Sequence, residues 1–177
     1  MTYKTWIALL RGINVGGKHL VPMKELTRLL EDNGFEGVRT YIQSGNVVLQ
    51  SPARPAGEIG RLIAGKFGFE PAVFILSAEE LQQAAANNPF ASDQGKTIHF
   101  FFLETPPQSV DYELLESLKA DTEAYALIDQ VFYLYAPDGI GRSMLVGKIH
   151  KAFPGATMTA RNLNTINKLL GMIDAQG

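Results

Sequence analysis

Short apolar runs separated by turn residues give the first half of the chain a strand pattern. Residues 5–10 form an apolar run that ends at a glycine-rich turn, which is typical of a buried strand. Residues 38–42 and 46–49 are rich in β-branched and aromatic side chains, and the turn-forming segment 43–45 between them predicts a hairpin. Residues 72–76 predict a fourth strand.

Apolar side chains at helical spacing predict two helices between these strands. The first spans about 22–33, with Pro22 in its first turn and Gly34 at its end. The second ends before Gly68 and carries its apolar stripe on Ile59, Leu62, Ile63 and Phe67. The resulting order, βαββαβ, is that of a ferredoxin-like fold with helices on one face of an antiparallel sheet.

A linker is predicted at residues 77–96. Ser77 and Glu80 have the spacing of a capping box, which predicts a helix that runs to about Ala86. The polar residues 91–96 then form a boundary loop.

The second half repeats the element order of the first. Its predicted elements are a strand at 97–103, a helix with Val110, Leu114, Leu115 and Leu118, a hairpin of 124–128 with 131–136, a basic helix at about 141–153, and a final helix. The predicted fold class is therefore α+β, with two tandem ferredoxin-like subdomains, βαββαβ at 1–76 and βαββα with the final helix at 97–177. Hairpins in both halves disfavour a doubly wound parallel sheet, because hairpins join antiparallel strands.

Composition places the chain among globular proteins. It has 177 residues, 46% of them hydrophobic, and a formal net charge of −2, which argues against a general nucleic-acid binder. The absence of cysteine excludes disulfides, thiolate nucleophiles and cysteine-based metal sites. No apolar run is long enough to span a bilayer and the first residues lack a signal-peptide pattern, so we expect a cytoplasmic protein.

Charge is distributed unevenly within this near-neutral total. Residues 104–129 contain seven acidic side chains and one lysine, whereas residues 139–177 contain five basic side chains and one aspartate. A solvated helix face explains such a basic region, and so does contact with an anion or a nucleic acid. The second interpretation would use Arg142, Lys148, Lys151 and Arg161.

The segment 11–19 directly follows the first predicted strand and is the first candidate site. Gly12 to Lys18 match the spacing of a phosphate-binding loop, but His19 stands where that loop needs Ser or Thr, and the next helix starts a turn too late. A nucleotide-hydrolysing loop is therefore disfavoured. Two interpretations remain, an anion cradle and a structural turn that uses the positive φ of glycine. The candidate ligand-binding residues here are Arg11, Asn14, Gly16, Gly17 and Lys18.

The predicted hairpin turn is the second candidate site, with Gln43, Ser44 and Asn46 as its polar side chains. Turn geometry alone explains such residues, and a ligand would use the same hydrogen-bonding groups. Ser44 lacks the sequence context of a catalytic serine.

The third candidate site opens the predicted final helix. Thr159 is interpreted as its N-cap, which places Arg161 and Asn162 in the first turn, where a cation opposes the helix dipole and needs a partner. That partner is either an internal carboxylate or an external anion. The three histidines share no metal-ligand spacing, so no metal site is predicted.

Five ordered blocks, at residues 9–18, 21–23, 41–48, 88–90 and 159–162, resemble the bacterial family of domain of unknown function 1697. The resemblance covers essentially the whole chain. It implies a cytosolic α+β protein of this architecture, makes the three candidate sites the family's signature, and implies no activity or cofactor.

We expect the protein to bind a small phosphate-bearing anion through the segment 11–19, as a binding protein or as an enzyme whose reaction the residues do not specify. Arg11 and Lys18 would supply charge, and the polar side chains of the second site would supply specificity. One alternative is a nucleic-acid-binding module in the basic C-terminal region. Another is a protein-interaction or homo-oligomerising unit that uses open sheet edges.

Overall fold

The computed structural model describes residues 1–176, apart from the side chain of Gln176. The chain divides into two units, one of Met1–Gln83 together with the residues from Asn167 onward, the other of Ala84–Ile166. Residues 167–176 thus belong to the first unit, whereas the sequence-based division places them in the second. The linker at 77–96 stays a prediction.

Four strands and two helices build most of the first unit. They are β1 (Lys4–Leu10), α1 (Met23–Asp32), β2 (Glu36–Tyr41), β3 (Asn46–Ser51), α2 (Glu58–Phe67) and β4 (Val73–Ser77). The antiparallel sheet has the order β2-β3-β1-β4, so β1 lies in the centre and the β2–β3 hairpin lies beside it. This is the ferredoxin-like arrangement predicted from the βαββαβ order.

The core of the first unit lies between its sheet and its helices. Leu26 and Leu30 of α1 and Ile59 and Ile63 of α2 are fully buried, which is the consequence of the helical spacing of these apolar residues. They pack in one cluster with alternate residues of β1, which are Trp6, Ala8 and Leu10. The same strand therefore ends, after Leu10, at the first candidate site.

The helix α3 (Ala78–Ala86) begins with the capping box predicted for it. The backbone N–H of Glu80 donates to the Ser77 Oγ over 3.0 Å, and the Ser77 N–H donates to the Glu80 Oε2 over 3.0 Å. Arg54 adds an ion pair to the same carboxylate at 2.8 Å and lies over the Trp6 ring. The hydrogen bond from Arg54 lowers the pKa of Glu80.

The second unit repeats the order of the first in full. Its elements are β5 (Ile98–Leu103), α4 (Tyr112–Leu118), β6 (Ala124–Ile128), β7 (Val131–Tyr135), α5 (Met144–Ala152) and β8 (Met158–Asn162), followed by α6 (Leu163–Gln176), which continues into the first unit. The sheet order is β6-β7-β5-β8, again antiparallel and ferredoxin-like. The α+β class with two tandem ferredoxin-like subdomains is thus confirmed.

The prediction of βαββα for this half was wrong by one strand. β8 pairs with β5 over five residues, from His99 with Asn162 to Leu103 with Met158. The interpretation of Thr159 as an N-cap placed this segment in the first turn of the final helix. Backbone pairing with β5 makes this segment a strand instead.

Within the described part of the chain, no helix combines the length and the apolar character that crossing a bilayer requires.

Candidate functional site

The glycine segment after β1 folds back on itself as a small hairpin. The N–H of Lys18 donates to the Val15 carbonyl over 3.1 Å, and the two residues between them, Gly16 and Gly17, have φ values of 61° and 73°. Positive φ at both central residues is the pattern of a type I′ turn, which strongly favours glycine. The turn therefore explains both glycines, and it presents their N–H groups at an exposed tip.

Asn14 joins this hairpin to the β2–β3 turn. Its Nδ2 donates to the Val21 carbonyl over 3.0 Å and to the Gln43 carbonyl over 2.8 Å, while its Oδ1 accepts from the Val21 N–H over 2.8 Å. The residue itself has a φ of 55°, a conformation that asparagine tolerates better than most side chains. The first two candidate sites are thus adjacent, and Asn14 is the clasp between them.

Three further hydrogen bonds hold the β2–β3 turn. The Leu10 N–H donates to the Gly45 carbonyl over 2.8 Å, and the buried Asn46 donates from Nδ2 to the Tyr41 carbonyl and the Ser44 Oγ over 3.0 Å each. Asn46 therefore stabilises the turn. Gln43 and Ser44 are exposed, so their side chains lie on the outer surface of the site.

Two cations border this surface. Arg11 and Lys18 are exposed, and neither side chain has a hydrogen bond or ion pair within the part of the chain that the structure describes. The N–H groups of Gly16 and Gly17 likewise donate to no acceptor among the described residues. Free donors of this kind are available to an anion.

A third cation, Lys168 of α6, was not predicted for this site. Its Nζ lies 5.8 Å from the centroid of the Tyr41 ring, at the start of the β2–β3 turn. Arg39 of β2 also donates from its guanidinium to the Met172 carbonyl of the same helix. No sequence signal indicates this placement, because it depends on α6 returning to the first unit.

The third candidate site lies in the second unit and differs from its prediction. Thr159 is not an N-cap, since it lies within β8, and the N-cap role falls to Asn162, whose Oδ1 accepts from the Thr165 N–H over 3.0 Å. Arg161 is buried in the strand and donates from Nη1 to the Thr159 Oγ1 and the Ala160 carbonyl, both over 2.8 Å. Burial lowers the pKa of Arg161 to about 10, so it stays charged at neutral pH.

The four basic residues of the nucleic-acid alternative differ in their exposure to solvent. Arg142, Lys148 and Lys151 are exposed, whereas Arg161 is 8% exposed. The predicted basic helix begins later than expected, at Met144, with Ser143 as its N-cap, so Arg142 precedes it. Lys148 has non-helical backbone angles that interrupt this helix.

The three histidines lie in different surroundings. His19 stacks on Phe69 with ring centroids 4.2 Å apart, His99 is buried in β5, and His150 is exposed on α5. Among the described residues no three carboxylate or imidazole groups come together as a metal site.

We expect His99 to make the stability of the protein depend on pH. Burial lowers its pKa in the folded state, and a hydrogen bond with the Lys96 backbone offsets this only in part. The unfolded chain, with a pKa near 6.5, therefore binds the proton more readily. The contribution of His99 is constant above about pH 7.5 and falls through pH 6.5, by at most about 1.4 kcal/mol per pH unit.

Denaturant titrations of wild type and His99→Gln between about pH 8 and about pH 5 measure this effect. The difference in free energy of unfolding between the two proteins should change with pH in the stated direction. His150→Gln removes an exposed imidazole and is the matched control. A difference that is the same at both ends of the range would contradict the prediction.

The sequence and the fold were compared with those of known proteins. A family model described as "Protein of unknown function (DUF1697)" matches residues 3–133. The solved structure of a conserved bacterial protein from Streptococcus pneumoniae is similar, with 25% sequence identity and a TM-score of 0.71 over 97% of this chain and 99% of that chain. No functionally curated protein matches the sequence.

Proposed function

We propose that this chain, which belongs to the DUF1697 family of unknown function, binds a small phosphate-bearing anion. The proposed binding surface is formed by the glycine hairpin and the β2–β3 turn. The observation that carries the proposal is that Arg11 and Lys18 are exposed in the same short segment as Gly16 and Gly17, and that among the described residues neither cationic side chain and neither glycine N–H has a partner. The oxygens of a phosphate group can accept hydrogen bonds from all of these donors. The bonds from the two cations are the stronger ones, because donor and acceptor are both charged.

The clasp by Asn14 supports binding by reducing its entropic cost. A glycine-rich loop that is free in solution must be ordered when it binds, which costs about 1–2 kcal/mol for each residue fixed. Here the hydrogen bonds of Asn14 to Val21 and Gln43 already hold the hairpin against the turn. The donors are therefore preorganised for a ligand.

Each residue of the proposed site has its own part. Arg11 and Lys18 neutralise the charge of the anion, the N–H groups of Gly16 and Gly17 donate to its oxygens, and Gln43 and Ser44 add neutral hydrogen bonds for specificity. Asn14 and Asn46 position these groups through their contacts within the protein. Arg161 and Asn162 are not required, since both are engaged within the second unit.

The test is a thermal-shift screen of inorganic phosphate, pyrophosphate, nucleotides and sugar phosphates, followed by calorimetric titration of each compound that stabilises wild type. A ligand at a hundred times its Kd raises the free energy of unfolding by about 2.7 kcal/mol. We expect Lys18→Ala to weaken binding of that compound about tenfold or more, because a hydrogen bond to a charged group contributes about 1.5–3 kcal/mol.

Lys4→Ala is the matched control for this experiment. Lys4 is also exposed, but it begins β1, whereas the glycine hairpin follows the other end of that strand. Its substitution should leave the affinity unchanged. The proposal is refuted if no phosphate-bearing compound stabilises wild type, or if the two lysine variants bind equally well.

A further inference from the structure

Three large aliphatic side chains are exposed around the same surface. Val15 is 66% exposed, Leu20 is 61% exposed and Ile42 is 49% exposed. Single exposed apolar residues are ordinary on a protein surface, but a group of them marks a place of contact.

The Asn14 clasp brings these three residues together. Val15 follows Asn14, Leu20 precedes Val21, and Ile42 precedes Gln43, and the side chain of Asn14 bonds to both Val21 and Gln43. Each apolar residue is therefore one Cα step, about 3.8 Å, from a member of this hydrogen-bonded group. Val15 also lies opposite Lys18 in the glycine hairpin, so apolar and cationic side chains are neighbours there.

Ile42 is unusual in a second respect. It has a φ of 50°, in the left-handed region that β-branched side chains avoid. Neither burial nor backbone geometry favours isoleucine at this position, and asparagine or glycine would suit the turn better. A strained, exposed aliphatic residue is a reason to look for a functional contact.

We infer that the ligand is a phosphate monoester of an apolar alcohol, whose phosphate binds Arg11 and Lys18 while its apolar part packs on Val15, Leu20 and Ile42. The inference rests on the proposed function and adds the chemical class of the ligand. Inorganic phosphate would use only the cations and the N–H groups. An ester with an apolar group would also cover the exposed aliphatic side chains, which removes apolar surface from water.

The test compares inorganic phosphate with hexyl phosphate by calorimetric titration of the full chain. Wild type should bind hexyl phosphate about tenfold more tightly than inorganic phosphate, because each fully buried methylene contributes about fourfold. Leu20→Gln and Ile42→Asn should reduce this preference about threefold or more and leave the affinity for inorganic phosphate unchanged. Met144→Gln, at a residue 60% exposed in the second unit, is the control and should keep the preference.

Thermal denaturation of Ile42→Asn separates a binding role from a structural one. Asparagine accepts the left-handed backbone, so the variant should melt at a higher temperature than wild type while losing its preference for the ester. An unchanged preference would overturn the inference at any melting temperature, and a preference lost together with a lower melting temperature would assign Ile42 a structural role and overturn it as well.

The remaining outcomes distinguish the inference from the proposed function. If wild type binds both compounds with equal affinity, the inference fails and the proposed anion site stands. If neither compound binds, and no other phosphate-bearing compound does, both fail. If the protein sediments with phosphatidylglycerol vesicles but does not bind hexyl phosphate in solution, the surface contacts a membrane and the inference is overturned.

Discussion

Gly45→Ala is expected to destabilise the protein by about 3 kcal/mol, the sum of a steric and a conformational cost. A Cβ at this position would lie 2.8 Å from the Leu10 Cβ and 3.0 Å from the Ile13 Cδ1. Such overpacking costs about 1–3 kcal/mol. The φ of +90° adds roughly 1–2 kcal/mol for any residue with a side chain.

Denaturant titration of Gly45→Ala beside Gly34→Ala separates the two costs. Gly34 has a similar φ of +93°, but a Cβ there would have no atom within 4 Å. Gly34→Ala should therefore show only the conformational cost, about 1–2 kcal/mol. Equal losses in the two variants would mean that the contact with Leu10 and Ile13 relaxes without cost, contrary to this prediction.

The position of Gly45 explains why the β2–β3 turn lies where it does. Leu10 is the last residue of β1 and Ile13 is the buried residue of the glycine hairpin, so the end of β1 and the glycine hairpin both approach the turn at Gly45. Only a residue without a side chain permits that approach. The close packing at Gly45 therefore positions the turn whose exposed residues form part of the proposed site.

Periodicity predicted most of the fold because the buried stripes are regular. In α1 and α2 the residues at helical spacing, such as Leu26 and Ile63, are the ones that enter the core. β8 was missed because only Met158 and Ala160 carry its apolar face, which packs on the core, and two alternating apolar residues are too short a pattern to predict a strand. Its conformation follows from pairing with β5, which is a tertiary contact that a local pattern does not contain.

The arrangement of the candidate site could not be predicted from the sequence. Asn14 was selected as a ligand-binding amide, whereas its side chain holds two loops together across 29 positions of the chain. Nothing in the sequence near Asn14 identifies Gln43 as the partner. The approach of Lys168 to Tyr41 has the same cause, since it depends on where α6 lies in the folded first unit.

Asn14→Gly is expected to lower the free energy of unfolding by about 2 kcal/mol and to weaken anion binding at the same time. Glycine keeps the φ of 55° without strain, so the loss comes from the three side-chain hydrogen bonds to Val21 and Gln43 and from the greater freedom of glycine in the unfolded chain. Each such bond contributes about 0.5–1.5 kcal/mol, and partial exposure places the sum below the upper limit.

Asn14→Asp separates the hydrogen bond that the Asn14 side chain accepts from the two that it donates. Aspartate can still accept from the Val21 N–H, but an ionised carboxylate cannot donate to the carbonyls of Val21 and Gln43. It also adds a negative charge to the segment that carries Arg11 and Lys18, and this charge repels an incoming anion.

Chemical denaturation and phosphate titration of Asn14→Gly and Asn14→Asp together test this account. Both variants should be less stable than wild type, and both should bind phosphate-bearing compounds more weakly, with aspartate the weaker because repulsion is added to the loss of order. Unchanged affinity in Asn14→Gly would mean that the glycine hairpin binds without being held against the β2–β3 turn. The cations alone would then account for recognition, and the preorganised surface would have no part in it.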